Sequence, residues 1–271
     1  MAKKSASIGI FDSGLGGLVI AKSIFKKLPH YNYIYLGDTK NLPYGEKSPK
    51  EIYRHTERAV DFLFRQGCEL IIIACNTSSA LALRQIQQKY LPKNYPDRRV
   101  LGVVVPTLEV ADDDHRRKRI GVIGTSATVD SHIYKKELEK IDARAKIFEQ
   151  AAPKLVPLIE QNSLQKAEKL VELYLKPLKL KRIEALILGC THYPLLKKEI
   201  KNVIGENVAV ISQDEIIPAK LADYLKAHKE ITSRLSKKGK QTFFVTKLGK
   251  DFKDVAKRLF GKDINLKSVK Y

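Results

Sequence analysis

Long apolar runs are missing from this sequence. No stretch approaches the ~20 residues of a membrane-spanning helix. The opening segment, MAKKSAS, has two lysines but no apolar h-region before the first strand-like run. The expectation is a cytoplasmic protein without a secretory signal. Cysteine is scarce: Cys68, Cys75 and Cys190 are the three in 271 residues, and no CxxC occurs. An odd number without regular spacing excludes a disulfide framework. The histidines His30, His55, His115, His132, His192 and His228 are scattered and never paired at metal-ligand spacing. No metal site is expected.

What is present is ordinary for a soluble domain: 44% hydrophobic and 30% charged residues. The length suits one large domain or two small ones. The net charge is +20, and residues 226–271 hold 14 Lys and Arg against 4 Asp and Glu. Such an excess raises the question of nucleic acid. Few aromatics are interleaved and no nucleic-acid motif accompanies the lysines. They read as a solvated basic surface, with no specific nucleic-acid partner expected.

Short apolar runs alternate with helix-type stretches. SIGIF (7–11), YIYLGD (33–38), LIIIA (70–74), VLGVVV (100–105), RIGVIG (119–124), AKIFEQ (145–150), EALILG (184–189) and VAVIS (208–212) read as strands. Helices are expected at about 18–28, 49–66 and 78–90. FFVT (243–246) and a helix over 251–260 close the chain, after a charged loop or connector at 229–242. Near-continuous Ile/Val/Leu strands belong to parallel sheets covered on both faces. The fold class is α/β, doubly wound.

A weak internal repeat divides the chain. SIGIFDSG resembles RIGVIGTS at an offset of 112, and LIIIACNT resembles ALILGCTH at an offset of 115. Any two parallel strands look somewhat alike, but here a cysteine falls at the same place in both halves.

In open α/β sheets, ligands bind beyond the carboxyl ends of the strands. Asp12-Ser13-Gly14, Cys75-Asn76-Thr77, Thr125-Ser126 and Cys190-Thr191-His192 all lie at such ends. Pro43-Tyr44-Gly45 lies just past another. Cys68, in no motif, reads as a small packing residue. Cys75 and Cys190 each end an apolar strand and precede polar side chains, which fits a wetted cleft. Asp12 and Ser13 also suit a helix N-cap, and His192 a turn before Pro194. In their functional reading Asp12 lies near Cys75, and His192, two residues along an extended segment, lies beside Cys190. A neighbouring imidazole can lower a thiol pKa or carry its proton. Gly14-Leu15-Gly16, with Asp38 ending the next strand, imitates a dinucleotide fingerprint. The third glycine is replaced by Val19, so nicotinamide binding is not expected.

IFDSGLGG (10–17), GDTKNLPYG (37–45), ACNT (74–77), VIGTSAT (122–128) and LGCTHYPLL (188–196) together resemble the glutamate racemases of the aspartate/glutamate racemase superfamily. The resemblance runs in order from about residue 7 to 211 and more weakly through FFVT. It implies two similar doubly wound α/β domains related by a pseudo-two-fold, with the active site in the cleft between them. Residues 7–99 plus 212–271 would form the first and 100–211 the second. It implies that Cys75 and Cys190 are catalytic acid/bases, that Asp12 and His192 assist them, and that Glu160 is tied to the site. Asp12, Ser13, Tyr44, Gly45, Asn76, Thr77, Thr125, Thr128, Thr191 and His192 match substrate-binding positions. The family needs no cofactor, is often dimeric, and makes D-glutamate for peptidoglycan. Three places depart from the pattern: Val105 where a glutamate is common, Ala152 where a cysteine is common, and Ser212-Gln213 in place of Asp-Ser.

The implied reaction is racemisation of glutamate. One proton leaves the α-carbon and another arrives on the opposite face, so two flanking groups are needed, one as thiolate and one as thiol. Without an electron sink, the carbanion needs preorganised hydrogen bonds and exclusion of water. An aspartate racemase is the near alternative. A nucleic-acid-binding protein on an inactive racemase fold is the distant one.

Overall fold

The computed structural model describes residues 6–112, 116–161 and 163–271. The lysine-bearing first five residues and His115 lie outside them. Among the described residues, ten strands form two wholly parallel sheets, six-stranded β10-β9-β2-β1-β3-β4 and four-stranded β6-β5-β7-β8. The strands are β1 (Ser7–Asp12), β2 (Tyr33–Gly37), β3 (Cys68–Ile73), β4 (Arg99–Gly102), β5 (Arg119–Gly124), β6 (Lys146–Ala151), β7 (Ala185–Gly189), β8 (Ala209–Ile211), β9 (Gln241–Val245) and β10 (Leu266–Ser268). The internal repeat is visible in this order: β2-β1-β3-β4 and β6-β5-β7-β8 are the same arrangement.

The apolar runs are continuous because each strand feeds two cores. Leu70 and Ile72 of β3 point to one side, with helices Leu18–Lys27, Gln213–Ala227 and Phe252–Phe260. Ile71 and Ile73 point to the other, under Pro49–Arg65. That helix starts on a Ser48–Glu51 capping box with proline at its first turn. In the second sheet Leu186 and Leu188 face one core and Ala185 and Ile187 the other. Cys68 is fully buried against Gly9. Burial pushes its thiol far above the ordinary range, which leaves it a packing residue.

Several elements differ from the sequence reading. VLGVVV is a strand only through Gly102, and Val104–Asp112 is a helix. Val104, Leu108 and Ala111 recur at helical spacing and enter the second sheet's core. Because β4 pairs with β3, a boundary before residue 100 would cut the first sheet, and the chain crosses at Val103 instead. The helix expected at 78–90 is broken, running in four pieces from Asn76 to Asn94. FFVT lies in β9 beside β2, and the three-residue β10 was not foreseen. The 229–242 connector contains a helical turn, Lys229–Thr232. All fourteen basic side chains of 226–271 are exposed. No helix among the described residues is long and apolar enough to cross a membrane.

Candidate active site

The carboxyl ends of β1, β3, β5 and β7 converge on one cavity between the sheets. It is lined by Ser13, Tyr44, Gly45, Cys75, Asn76, Thr77, Thr125, Cys190, Thr191 and His192, closed over by Leu42, Pro43, Pro153 and Val156. A larger, mostly apolar cavity of about 450 Å³ lies between the crossover segments. It holds none of these side chains, and the chemistry belongs to the smaller one.

Each thiol has its own set of partners. Cys75 caps the helix Asn76–Leu81, its Sγ accepting the Ser78 N–H at 3.5 Å, while the thiol donates to Ser13 Oγ at 3.3 Å. Burial raises the Cys75 pKa and the Asp12 charge adds to it, against the pull of Ser13 and Ser78. In the resting site Cys75 is therefore a thiol. Cys190 Sγ lies 3.7 Å from His192 Nδ1, and His192 Nε2 is 2.6 Å from Glu160 Oε1. Burial disfavours the imidazolium, but Cys190 and Glu160 together hold its pKa well above the usual value. The two residues meet for a different reason than expected. His192 is helical (φ −85°, ψ −26°), and a turn closed by Tyr193 N–H on Cys190 O returns the ring to the thiol.

Asp12 lies between the two sides. Its Oδ2 accepts the Gly14 N–H at 3.0 Å and its Oδ1 the Thr191 hydroxyl at 3.2 Å. Burial raises its pKa, opposed chiefly by the His192 charge. It is not the N-cap of the helix Leu18–Lys27, a place held by Gly17, but it does accept the Gly17 N–H at that helix start. Thr77, Thr125 and Thr128 form a closed triangle of hydroxyls with edges of 2.9, 3.0 and 3.1 Å, joining the two sheets.

Two expected ligands have other engagements. The Tyr44 hydroxyl donates to Asp38 at 2.7 Å, and Asp38 also accepts from Asn41 and Thr246. Asp38 thus fixes the Pro43-Tyr44-Gly45 loop over the cavity. The Asn76 side chain exchanges two hydrogen bonds with Gln213 (3.1 and 2.8 Å) and accepts from Tyr134 at 2.6 Å. This buried network joins β3's end, the second lobe and the return crossover. Gln213 is marked in the sequence only as part of the Ser212-Gln213 departure, without a role, and nothing local marks Tyr134. The Tyr134 hydroxyl also accepts from Gln213 at 3.3 Å, so replacing Tyr134 with Phe removes two of the four buried hydrogen bonds. Urea titration should show a loss of about 1–2 kcal/mol with an unchanged m value; an unchanged midpoint would mean that the network does not hold the lobes.

The site places one thiol from each of two similarly ordered α/β lobes in a single narrow cavity. The family model for Asp/Glu/hydantoin racemases matches residues 19–216. The chain belongs to that family and is an amino-acid racemase. Among its relatives, the glutamate racemase of Exiguobacterium sibiricum is 44% identical over 211 residues, 77% of this chain and 76% of the relative. Two solved structures are similar. The glutamate racemase isoform of Bacillus anthracis is 34% identical, with a TM-score of 0.89, covering 99% of this chain and 98% of that one. The Francisella tularensis glutamate racemase, solved with D-glutamate, is 31% identical with a TM-score of 0.88 and the same coverage.

Proposed function

We propose that the protein interconverts L- and D-glutamate without a cofactor, by proton transfer between the α-carbon and Cys75 on one face and Cys190 on the other. The observation that carries this is the placement of the two thiols: each follows the corresponding strand of its lobe, β3 or β7, and both line one cavity. Their environments differ as a two-base reaction requires. Cys75 has hydroxyl partners and is held as a thiol, while Cys190 has an imidazole that can take up or return its proton. The threonine triangle, Ser13 and Thr191 supply hydroxyl donors for substrate oxygens and for the charge that develops on proton removal. Leu42, Pro43, Pro153 and Val156 narrow the cavity, which favours exclusion of water around the reacting carbon. In the cell the enzyme would act in the cytoplasm, as a homodimer, to supply D-glutamate for peptidoglycan.

Circular dichroism of purified, dialysed protein with a chelator should show D-glutamate converted to the racemate, with D-aspartate turned over far more slowly. Turnover that vanished on dialysis and returned with pyridoxal phosphate would overturn the cofactor-free reading. A preference for D-aspartate would overturn the substrate.

A further inference from the structure

Ser78 is completely buried, and its hydroxyl has no hydrogen-bond partner among the described residues. A serine inside a helix normally bonds the carbonyl one turn back; this one does not. A buried orphan hydroxyl is costly and calls for a reason. Its position supplies one. Cys75 is the N-cap of the helix and Ser78 stands three residues on, where a side chain reaches back toward the cap, as the second member of a capping box does. The Ser78 N–H already points at Cys75 Sγ.

We propose that Ser78 is a positioning residue for Cys75: its hydroxyl waits unpaired beside the thiol and donates to Sγ once Cys75 is a thiolate. The proposal rests on the reading of Cys75 as one of the two proton-transfer groups. In the resting site the Cys75 proton lies toward Ser13 Oγ, and a neutral thiol sulfur is a weak acceptor. When the proton leaves, Sγ becomes a strong one. The Ser13 hydroxyl can then turn from acceptor to donor, and Ser78 gains the partner that it lacks. Two serine hydroxyls would thus stabilise the Cys75 thiolate by hydrogen bonds, where Cys190 has a titratable imidazole beside it. The orphan bond is a cost carried in the resting state and removed in the state that abstracts a proton. Both hydroxyls are placed to favour the charged form of Cys75 over the neutral one, against the effect of burial.

The test uses S78A and S78T in the otherwise intact chain. Mass spectrometry follows iodoacetamide alkylation of Cys75 and Cys190 across pH, beside melting curves and isotope effects with α-deuterated substrates. For S78A the midpoint of Cys75 alkylation should rise by about one pH unit, as expected for one hydrogen bond to a charged group. That of Cys190 should stay in place. The isotope effect with D-glutamate should grow more than that with L-glutamate. The melting temperature should hold or rise, because an unsatisfied buried hydroxyl has gone, and S78T should restore the midpoint. An unmoved Cys75 midpoint, an equal shift at both cysteines, or a drop in melting temperature that S78T does not repair would overturn the proposal. Failure of the two-thiol reading would show separately, as racemisation surviving in C75A, whereas the alkylation midpoint reports the Ser78 contact whatever Cys75 does in turnover.

Discussion

Replacing Cys75 or Cys190 with alanine should abolish racemisation in both directions, by at least about 10⁴-fold in kcat, with the fold intact. Removing one general acid/base usually costs 10²–10⁴. Inversion raises the loss, because the product forms only if a proton is delivered to the face opposite the one it left. Either variant therefore lacks a base for one enantiomer and an acid for the other. Cys68→Ser is the control. That thiol packs against Gly9 at the far end of β3, so turnover should persist even if the melting temperature falls. Chiral chromatography of glutamate after long incubation reads all three variants. Substantial racemisation by either alanine variant, or its loss in Cys68→Ser alone, would move the chemistry elsewhere.

Gly16→Ala should lower kcat by about 10²–10³-fold while leaving both lobes folded. A methyl group at Gly16 would sit 2.5 Å from Thr191 Oγ1 and 2.6 Å from His192 Cε1 and Nδ1. Gly16 has no left-handed backbone, so the obstacle is space and not conformation. Nor can the neighbours give way cheaply. Thr191 is tied to Asp12, and His192 is pinned between Cys190 and Glu160. The lobes must separate, and a misplacement of about 1 Å can cost 10²-fold in rate. Far-ultraviolet circular dichroism should be unchanged while kcat falls. Full activity in Gly16→Ala would show that the closure seen here is not the working state.

That glycine also marks what was and was not legible in the sequence. Gly14-Leu15-Gly16 imitates a phosphate-binding loop, and Val19 stands where the dinucleotide fingerprint needs its third glycine. The purpose of the glycines could not be read, because the atoms that exclude a side chain are distant in sequence: Thr191 and His192 at Gly16, and Glu160 with Leu42 at Gly14. Cys75 and Cys190 were legible because an apolar strand ending in cysteine and polar residues is a local pattern, repeated. The matching orders β2-β1-β3-β4 and β6-β5-β7-β8 follow from the same repeat. The crossover at Val103 was obscured by Val103-Val104-Val105, whose β-branched side chains suit a strand while packing against the second sheet makes Val104 helical. The Asn76–Tyr134–Gln213 network was out of reach, since its members are 58 and 137 residues apart and meet only when both crossovers are in place. Asn76 matches a substrate-binding position and lines the cavity, and its side chain also holds the lobes together through Gln213 and Tyr134.

The central claim is that each thiol serves one face of the α-carbon. Initial rates with α-protio and α-deuterio forms of both glutamate enantiomers, on Cys75→Ser and Cys190→Ser, test it most directly. A serine hydroxyl is a poorer base than a thiolate, so the step assigned to the substituted residue becomes the slow one. The proposed reading assigns Cys75 to the proton of D-glutamate and Cys190 to that of L-glutamate. Cys75→Ser should then show the larger isotope effect with the D-enantiomer, and Cys190→Ser the larger effect with the L-enantiomer. Equal isotope effects for both enantiomers in both variants would contradict the division of labour between Cys75 and Cys190.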